Sequence, residues 1–186
     1  MQRHDNSEYV AFISYRKSHT VNADLIQQAL INFGYKKRDV FLDKHSIYNG
    51  NFKKKISDAV ACSKMFILLV TKDCFVSNKK AGETDYFLFE IKEALANNVE
   101  ILPIFFDNIQ SLESTEIIKQ LNLLFDEEEV EYLVTRQAVR YDNDYGSTGA
   151  ITRLREIFNE SVGIPDSKDT EEDDGTGVKA LPTVIT

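Results

Sequence analysis

Residues 65–70, Met65-Phe66-Ile67-Leu68-Leu69-Val70, are six apolar side chains without a break. A strand with one wet face alternates apolar and polar residues. A continuous run of this length therefore reads as a strand covered on both faces, as in a parallel sheet. Four further runs flank it, at 9–15 (YVAFISY), 39–42 (DVFL), 100–106 (EILPIFF) and 137–141 (QAVRY). Between the runs, apolar residues recur at helical spacing. Residues 20–33 carry Val21, Leu25, Ala29, Leu30 and Phe33, with Gly34 following as a C-terminal cap. Residues 51–62 carry Phe52, Ile56, Ala59 and Val60, and residues 84–97 carry Phe87, Leu88, Ile91, Ala94 and Leu95; 113–125 and 149–160 read the same way. Strand–helix alternation repeated in this way predicts an α/β fold, a doubly wound sandwich with a five-stranded parallel sheet flanked by helices.

The 186 residues fit one domain with a terminal extension, and an apolar content of 42% is enough for a core. The periodicity divides the chain into an N-terminal fray (1–8), a domain (9–160) and an acidic disordered tail or linker (161–186). The last holds Asp166, Asp169, Glu171, Glu172, Asp173 and Asp174, too polar a run to offset its ordering entropy. Its apolar end, 178–186, reads as a frayed terminus or a docking peptide. A net charge of −8 argues against nucleic acid as a direct partner. No apolar run approaches the roughly 20 residues of a membrane span, and the first residues hold no signal-peptide core. A cytoplasmic, reduced protein with no membrane partner is expected. Cys62 and Cys74 suit neither a zinc site nor a disulfide framework and read as packing residues. His4, His19 and His45 lack ligand spacing, so no metal is assigned.

Ligands of a doubly wound sheet bind outside the carboxyl ends of its strands. That directs attention to the loops 14–20, 43–51, 71–84 and 107–112. The first carries Arg16 and Lys17; the second carries Asp43, Lys44, His45, Asn49 and Gly50 and leads into Phe52 and Lys53-Lys54-Lys55. These cations either suit a pyrophosphate or belong to solvated turns. No Gly-x-Gly-x-x-Gly or Walker lysine loop is present. Ser14 and Ser63 have no His–Asp pattern near them, so a hydrolase triad is unsupported. Phe105 and Phe106 follow a strand pattern and read as core, whereas Phe52 suits either the start of a helix core or the mouth of a cleft. Glu90 has Tyr86, Phe87, Glu93 and Ala94 at helical neighbour positions and no lysine or arginine among them. By itself that pattern describes an acid at the edge of the buried face, which base rates make an exposed one. Glu83 and Asp85 read as first-turn acids that complement the helix dipole.

Taken together, these stretches resemble the TIR (Toll/interleukin-1 receptor) domain family over residues 9 to 160. The first family box is similar to YVAFISYRK at 9–17. The second is similar to Phe41 through Gly50 and Phe52, with an aspartate, Ile47, then the glycine and an aromatic. The third resembles Tyr86-Phe87-Leu88-Phe89-Glu90-Ile91, with Tyr86 where the family usually has tryptophan and Phe87 where it has cysteine. The fourth resembles 101–106, with Pro103 inside the strand. The resemblance implies a flavodoxin-like sandwich, closest to the bacterial-type and NAD-cleaving members.

In those members the glutamate of the third box is catalytic, which implies that role for Glu90. The resemblance further implies a substrate-binding role for Tyr15, Arg16 and Lys17 in the first-box turn, for Asp43 and Gly50 in the second loop, and for the aromatics Phe52 and Tyr86. NAD+ would be substrate, with no resident cofactor, and activity would follow self-assembly into a homo-oligomer through TIR–TIR contacts. The products would be nicotinamide and ADP-ribose or a cyclic isomer. Bacterial immune defence, with a sensor domain or partner protein beyond the tail, is the setting such members suggest. Tyr86 keeps an aromatic wall, so its departure from tryptophan is expected to lower activity rather than abolish it. Two rival readings stand beside this one. One is a non-enzymatic TIR–TIR signalling adaptor. The other is a different enzyme on the same sheet, such as a nucleoside transferase.

Overall fold

A computed structural model describes residues 9–42, 52–77, 79–80, 82–141 and 146–165. Asp43 and Gly50, the fray at 1–8 and the tail from 166 onward lie outside the described residues.

Five parallel strands run β1 (Tyr9–Ser14), β2 (Val40–Phe41), β3 (Ser63–Val70), β4 (Glu100–Phe105) and β5 (Val139–Arg140), in the order β2-β1-β3-β4-β5. The helices are α1 (Thr20–Asn32), α2 (Phe52–Ala61), α3 (Tyr86–Ala96), α4 (Thr115–Leu124), α5 (Glu127–Val134) and α6 (Gly146–Ser161). This is the expected flavodoxin-like sandwich. The strand order places β1 and β3 side by side in the middle, and the chain's winding direction reverses between them.

The continuous run at 65–70 is apolar throughout because both of its faces are roofed. Met65, Ile67 and Leu69 pack in one core with Ala23, Ile26 and Leu30 of α1 and Leu154, Ile157 and Phe158 of α6. Phe66, Leu68 and Val70 pack in the other, with Ile56 and Val60 of α2, Phe87 and Ile91 of α3, Leu121 of α4 and Leu133 of α5. Phe105 and Phe106 are both buried, one in each core, as the strand pattern predicted. Pro103 is accommodated in β4 because β5 pairs only with Ile104 and Phe105, leaving the proline outside that ladder.

Gly34 does follow α1 as its cap. Its φ of +107° lets its N–H donate to the Ile31 carbonyl while that of Tyr35 donates to Leu30. The helical pattern did not reveal α5. Its signal was the capping box Asp126-x-x-Glu129, in which each side chain accepts the other's backbone N–H. Only Val130 and Leu133 of this acidic helix are buried, too few for periodicity to stand out.

Candidate active site

The carboxyl end of β1 and the first turns of α3 meet around a cleft of ≈ 220 Å³. Strand alternation decides which β1 side chains reach it. Ala11 and Ile13 belong to the α1/α6 core, and Phe12 belongs to the α2/α3 core. Ser14, two residues on from Phe12, therefore projects toward α3. There its hydroxyl donates to Glu90 Oε2 at 2.6 Å.

Glu90 is not an exposed helix acid. The buried residues of α3 are Phe87, Glu90, Ile91 and Ala94, one stripe at helical spacing, so the carboxylate sits within the buried face rather than at its edge. It is 8% exposed and Ser14 is 0% exposed. The charge-assisted bond from Ser14 satisfies part of a carboxylate that would otherwise be costly to bury. Helix spacing could not reveal this partner, because it lies 76 residues away in sequence.

Tyr15, Arg16, Lys17, Tyr86 and Glu90 all line this one cleft. Phe52 is the first residue of α2, half-buried against the α2/α3 core; its ring meets Tyr86 edge to face at 4.9 Å. It thus backs the aromatic wall of the cleft. Lys53, Lys54 and Lys55 are exposed on α2 and line neither this cleft nor the cavity beside it. The residues that sequence reasoning missed are Ser14, set aside as a nucleophile without a triad, and Lys79, which lines the cleft from the loop before α3.

Arg16 is not a solvated cation. Its Nη1 donates to Asp85 Oδ1 at 2.6 Å, its Nε donates to the Cys74 carbonyl at 2.6 Å, and its guanidinium lies 4.6 Å from the centre of the Phe87 ring. It ties β1's end to the loop after β3 and to the start of α3. Asp85 is the N-cap of α3 and accepts the Leu88 N–H; Glu83 precedes the helix rather than belonging to its first turn. Burial pushes the Asp85 carboxyl upward, but hydrogen bonds from Arg16 and Ser77, the Arg16 charge and the Leu88 N–H outweigh it and hold the carboxyl below its ordinary value. Burial pushes the Cys74 thiol up to about 12, so it stays protonated and acts as packing.

A folded-state value below the unfolded one means that Asp85 contributes stability above the unfolded carboxyl value of about 3.9, lost as pH falls through the folded value. Unfolding of the native protein is expected to become easier below about pH 4, and more steeply than in Asp85→Asn. Denaturant midpoints between pH 7 and pH 2.5 measure this; parallel curves for the two proteins would count against the pairing.

Among the described residues, no helix is long and apolar enough to cross a membrane. A family model for the TIR domain matches residues 11–136. The TIR domains of the activated Roq1 resistosome, which directly recognizes the pathogen effector XopQ, align with a TM-score of 0.57 and 16% identity. The alignment covers 80% of this chain and 98% of theirs, a likeness of fold. A putative pilus assembly-related protein from Burkholderia pseudomallei aligns over 91% of this chain and 100% of its own, but at 9% identity and a TM-score of 0.41, too low to carry an argument. No curated protein matches the chain.

Proposed function

The chain belongs to the TIR domain family, and on that premise we propose that it cleaves the nicotinamide–ribose bond of NAD+ with Glu90 as the catalytic carboxylate. The observation that carries this reading is a buried glutamate, held by Ser14 at the carboxyl end of the sheet, in a cleft that also has cationic and aromatic walls. A buried acid on an apolar helical stripe does nothing for packing; a site that develops positive charge gives it a use.

Nicotinamide in NAD+ is already cationic and departs neutral, so no acid is needed to protonate it. The C1′–N1 bond breaks and its electron pair goes to the nicotinamide nitrogen. The ribose becomes oxocarbenium-like, and the Glu90 carboxylate stabilises that charge while accepting hydrogen bonds from the ribose hydroxyls. Water attacks C1′ and releases a proton, giving ADP-ribose. Attack by the substrate's own adenine or ribose gives a cyclic isomer instead. Tyr86, backed by Phe52, offers a face for the pyridinium ring. NAD+ is the substrate here, not a resident cofactor.

Assembly belongs to the same reading. In NAD-cleaving family members the second loop of one protomer completes its neighbour's site, so activity is expected to rise steeply with concentration. A cytoplasmic setting in bacterial immune defence, with a sensor or partner beyond the tail, follows the same branch of the family. The test is nicotinamide release across a concentration series, with and without a crowding agent, beside Glu90→Gln. Release by the native chain alone supports the enzyme. No release from the assembled protein would leave a non-enzymatic TIR–TIR module.

Ser14 holds one carboxylate oxygen and so orients the other. Ser14→Ala is expected to lower kcat about tenfold. The loss should fall on kcat more than on KM. Full activity in this variant would show that the contact plays no part in turnover.

A further inference from the structure

Ser14 ends β1, and Arg16 lies two residues on in backbone that is still extended, with φ −72° and ψ 134°. Residues two apart in extended chain send their side chains to the same side. Both of these reach α3. Ser14 donates to Glu90 Oε2 and Arg16 Nη1 donates to Asp85 Oδ1, each at 2.6 Å. The earlier strand residue meets the later helix residue, as antiparallel packing of β1 and α3 requires. Two strand residues span about 6.6 Å, and the five residues from Asp85 to Glu90 rise about 7.5 Å along a helix. The spacings nearly match, so both bonds form in one relative position of strand and helix.

Phe87, Ile91 and Ala94 seat the same helix on the sheet through apolar contact. Such contact is non-directional and does little to fix how far α3 slides or turns. A single hydrogen bond at Ser14 is a pivot; a second attachment one strand repeat away removes that freedom. Arg16 suits this task because it is itself held. Its Nε donates to the Cys74 carbonyl, and its guanidinium lies 4.6 Å from the centre of the Phe87 ring. Asp85 suits it because, as N-cap of α3, it also accepts the Leu88 N–H and so grips the first turn of the helix that carries Glu90.

We propose that Arg16 and Asp85 are positioning residues for the Glu90 carboxylate, setting α3 against β1 so that Ser14 and Glu90 meet, and that Arg16 is not part of the surface that binds substrate. The inference rests on Glu90 as the catalytic carboxylate. Its leverage comes from the steepness of catalysis with geometry, where a displacement of about 1 Å can cost on the order of a hundredfold in rate.

The experiment is a cycle of Ser14→Ala, Asp85→Asn and the double variant in the full chain. Each is assayed for nicotinamide release from NAD+ well below its unfolding temperature, and each is unfolded in urea. Asparagine keeps the shape and the capping ability of aspartate, so the helix start persists. Asp85→Asn is expected to lower kcat about tenfold with KM within about twofold of native. Arg16→Lys, which keeps a cation but loses the fork, should show the same split at a smaller loss. The double variant should lose little more than the worse single, because both changes release the same carboxylate. A raised KM with native kcat would make the pair part of the substrate surface. Losses in kcat that multiply would make its role independent of Ser14. Either result overturns the proposal. The urea arm does not depend on turnover: Asp85→Asn should lower the midpoint less in the Ser14→Ala background than in the native one. If the native protein releases no nicotinamide, NAD+ cleavage fails as a reading, and the urea cycle still decides the coupling, which additive midpoint shifts would overturn.

Discussion

Glu90→Gln is expected to reduce nicotinamide release by about a hundredfold or more while leaving the fold in place. The substitution keeps the shape and the acceptor that Ser14 uses, and removes only the charge. If the carboxylate stabilises an oxocarbenium-like ribose, charge is what the transition state needs and the ground state does not. The effect should fall on kcat more than on KM. Glu90→Ala is a blunter test, because it also leaves the buried Ser14 hydroxyl without its acceptor and opens a small cavity. Far-ultraviolet circular dichroism and a thermal midpoint close to native should accompany the lost activity of the glutamine variant. Turnover within a few-fold of native would remove Glu90 from the chemistry.

Arg16→Ala is expected to destabilise the fold by about 2–4 kcal/mol, the largest stability effect among the cleft residues. Arg16 and Asp85 side chains are 19% and 10% exposed, so their ion pair is sheltered from most of the solvent. Removing the guanidinium leaves the Asp85 carboxylate and the Cys74 carbonyl without their donor and uncovers the Phe87 ring. Arg16→Lys should rescue only part of the loss, since one ammonium cannot reproduce the fork that reaches Asp85 and Cys74 from separate nitrogens. Double substitution with Asp85→Asn should cost less than the sum of the two singles, because the stranded charge is then gone. Urea unfolding of the native protein, the three single variants and the double variant at pH 7 measures this. Additive losses would mean that the pair is not coupled, and a native-like midpoint for Arg16→Ala would make the arginine a surface residue after all.

The contrast between these two residues shows where sequence reading succeeds. The turn 14–20 was recognisable as part of a site because a strand ended there and cations followed. That Arg16 spends its donors on Asp85 and Cys74 was invisible, because those partners are 69 and 58 residues away. Phe52 likewise suited two places; its ring turns out to pack on Tyr86 at the start of α2. The short α5 escaped notice although its capping box was spelled out at Asp126 and Glu129, because only two of its residues are buried.

The sequence by itself determined the doubly wound sheet, the succession of its strands and of every helix but α5, and the loops at the carboxyl ends of the strands. Those follow from local periodicity, and a run such as 65–70 has a low-energy home only between two layers of helices. Only the tertiary structure decided that Glu90 is buried, that Ser14 is its donor, and that Arg16 is tied to Asp85. Each depends on which long-range neighbour satisfies a polar group taken out of water, and a pattern of spacings along one chain carries no record of that partner.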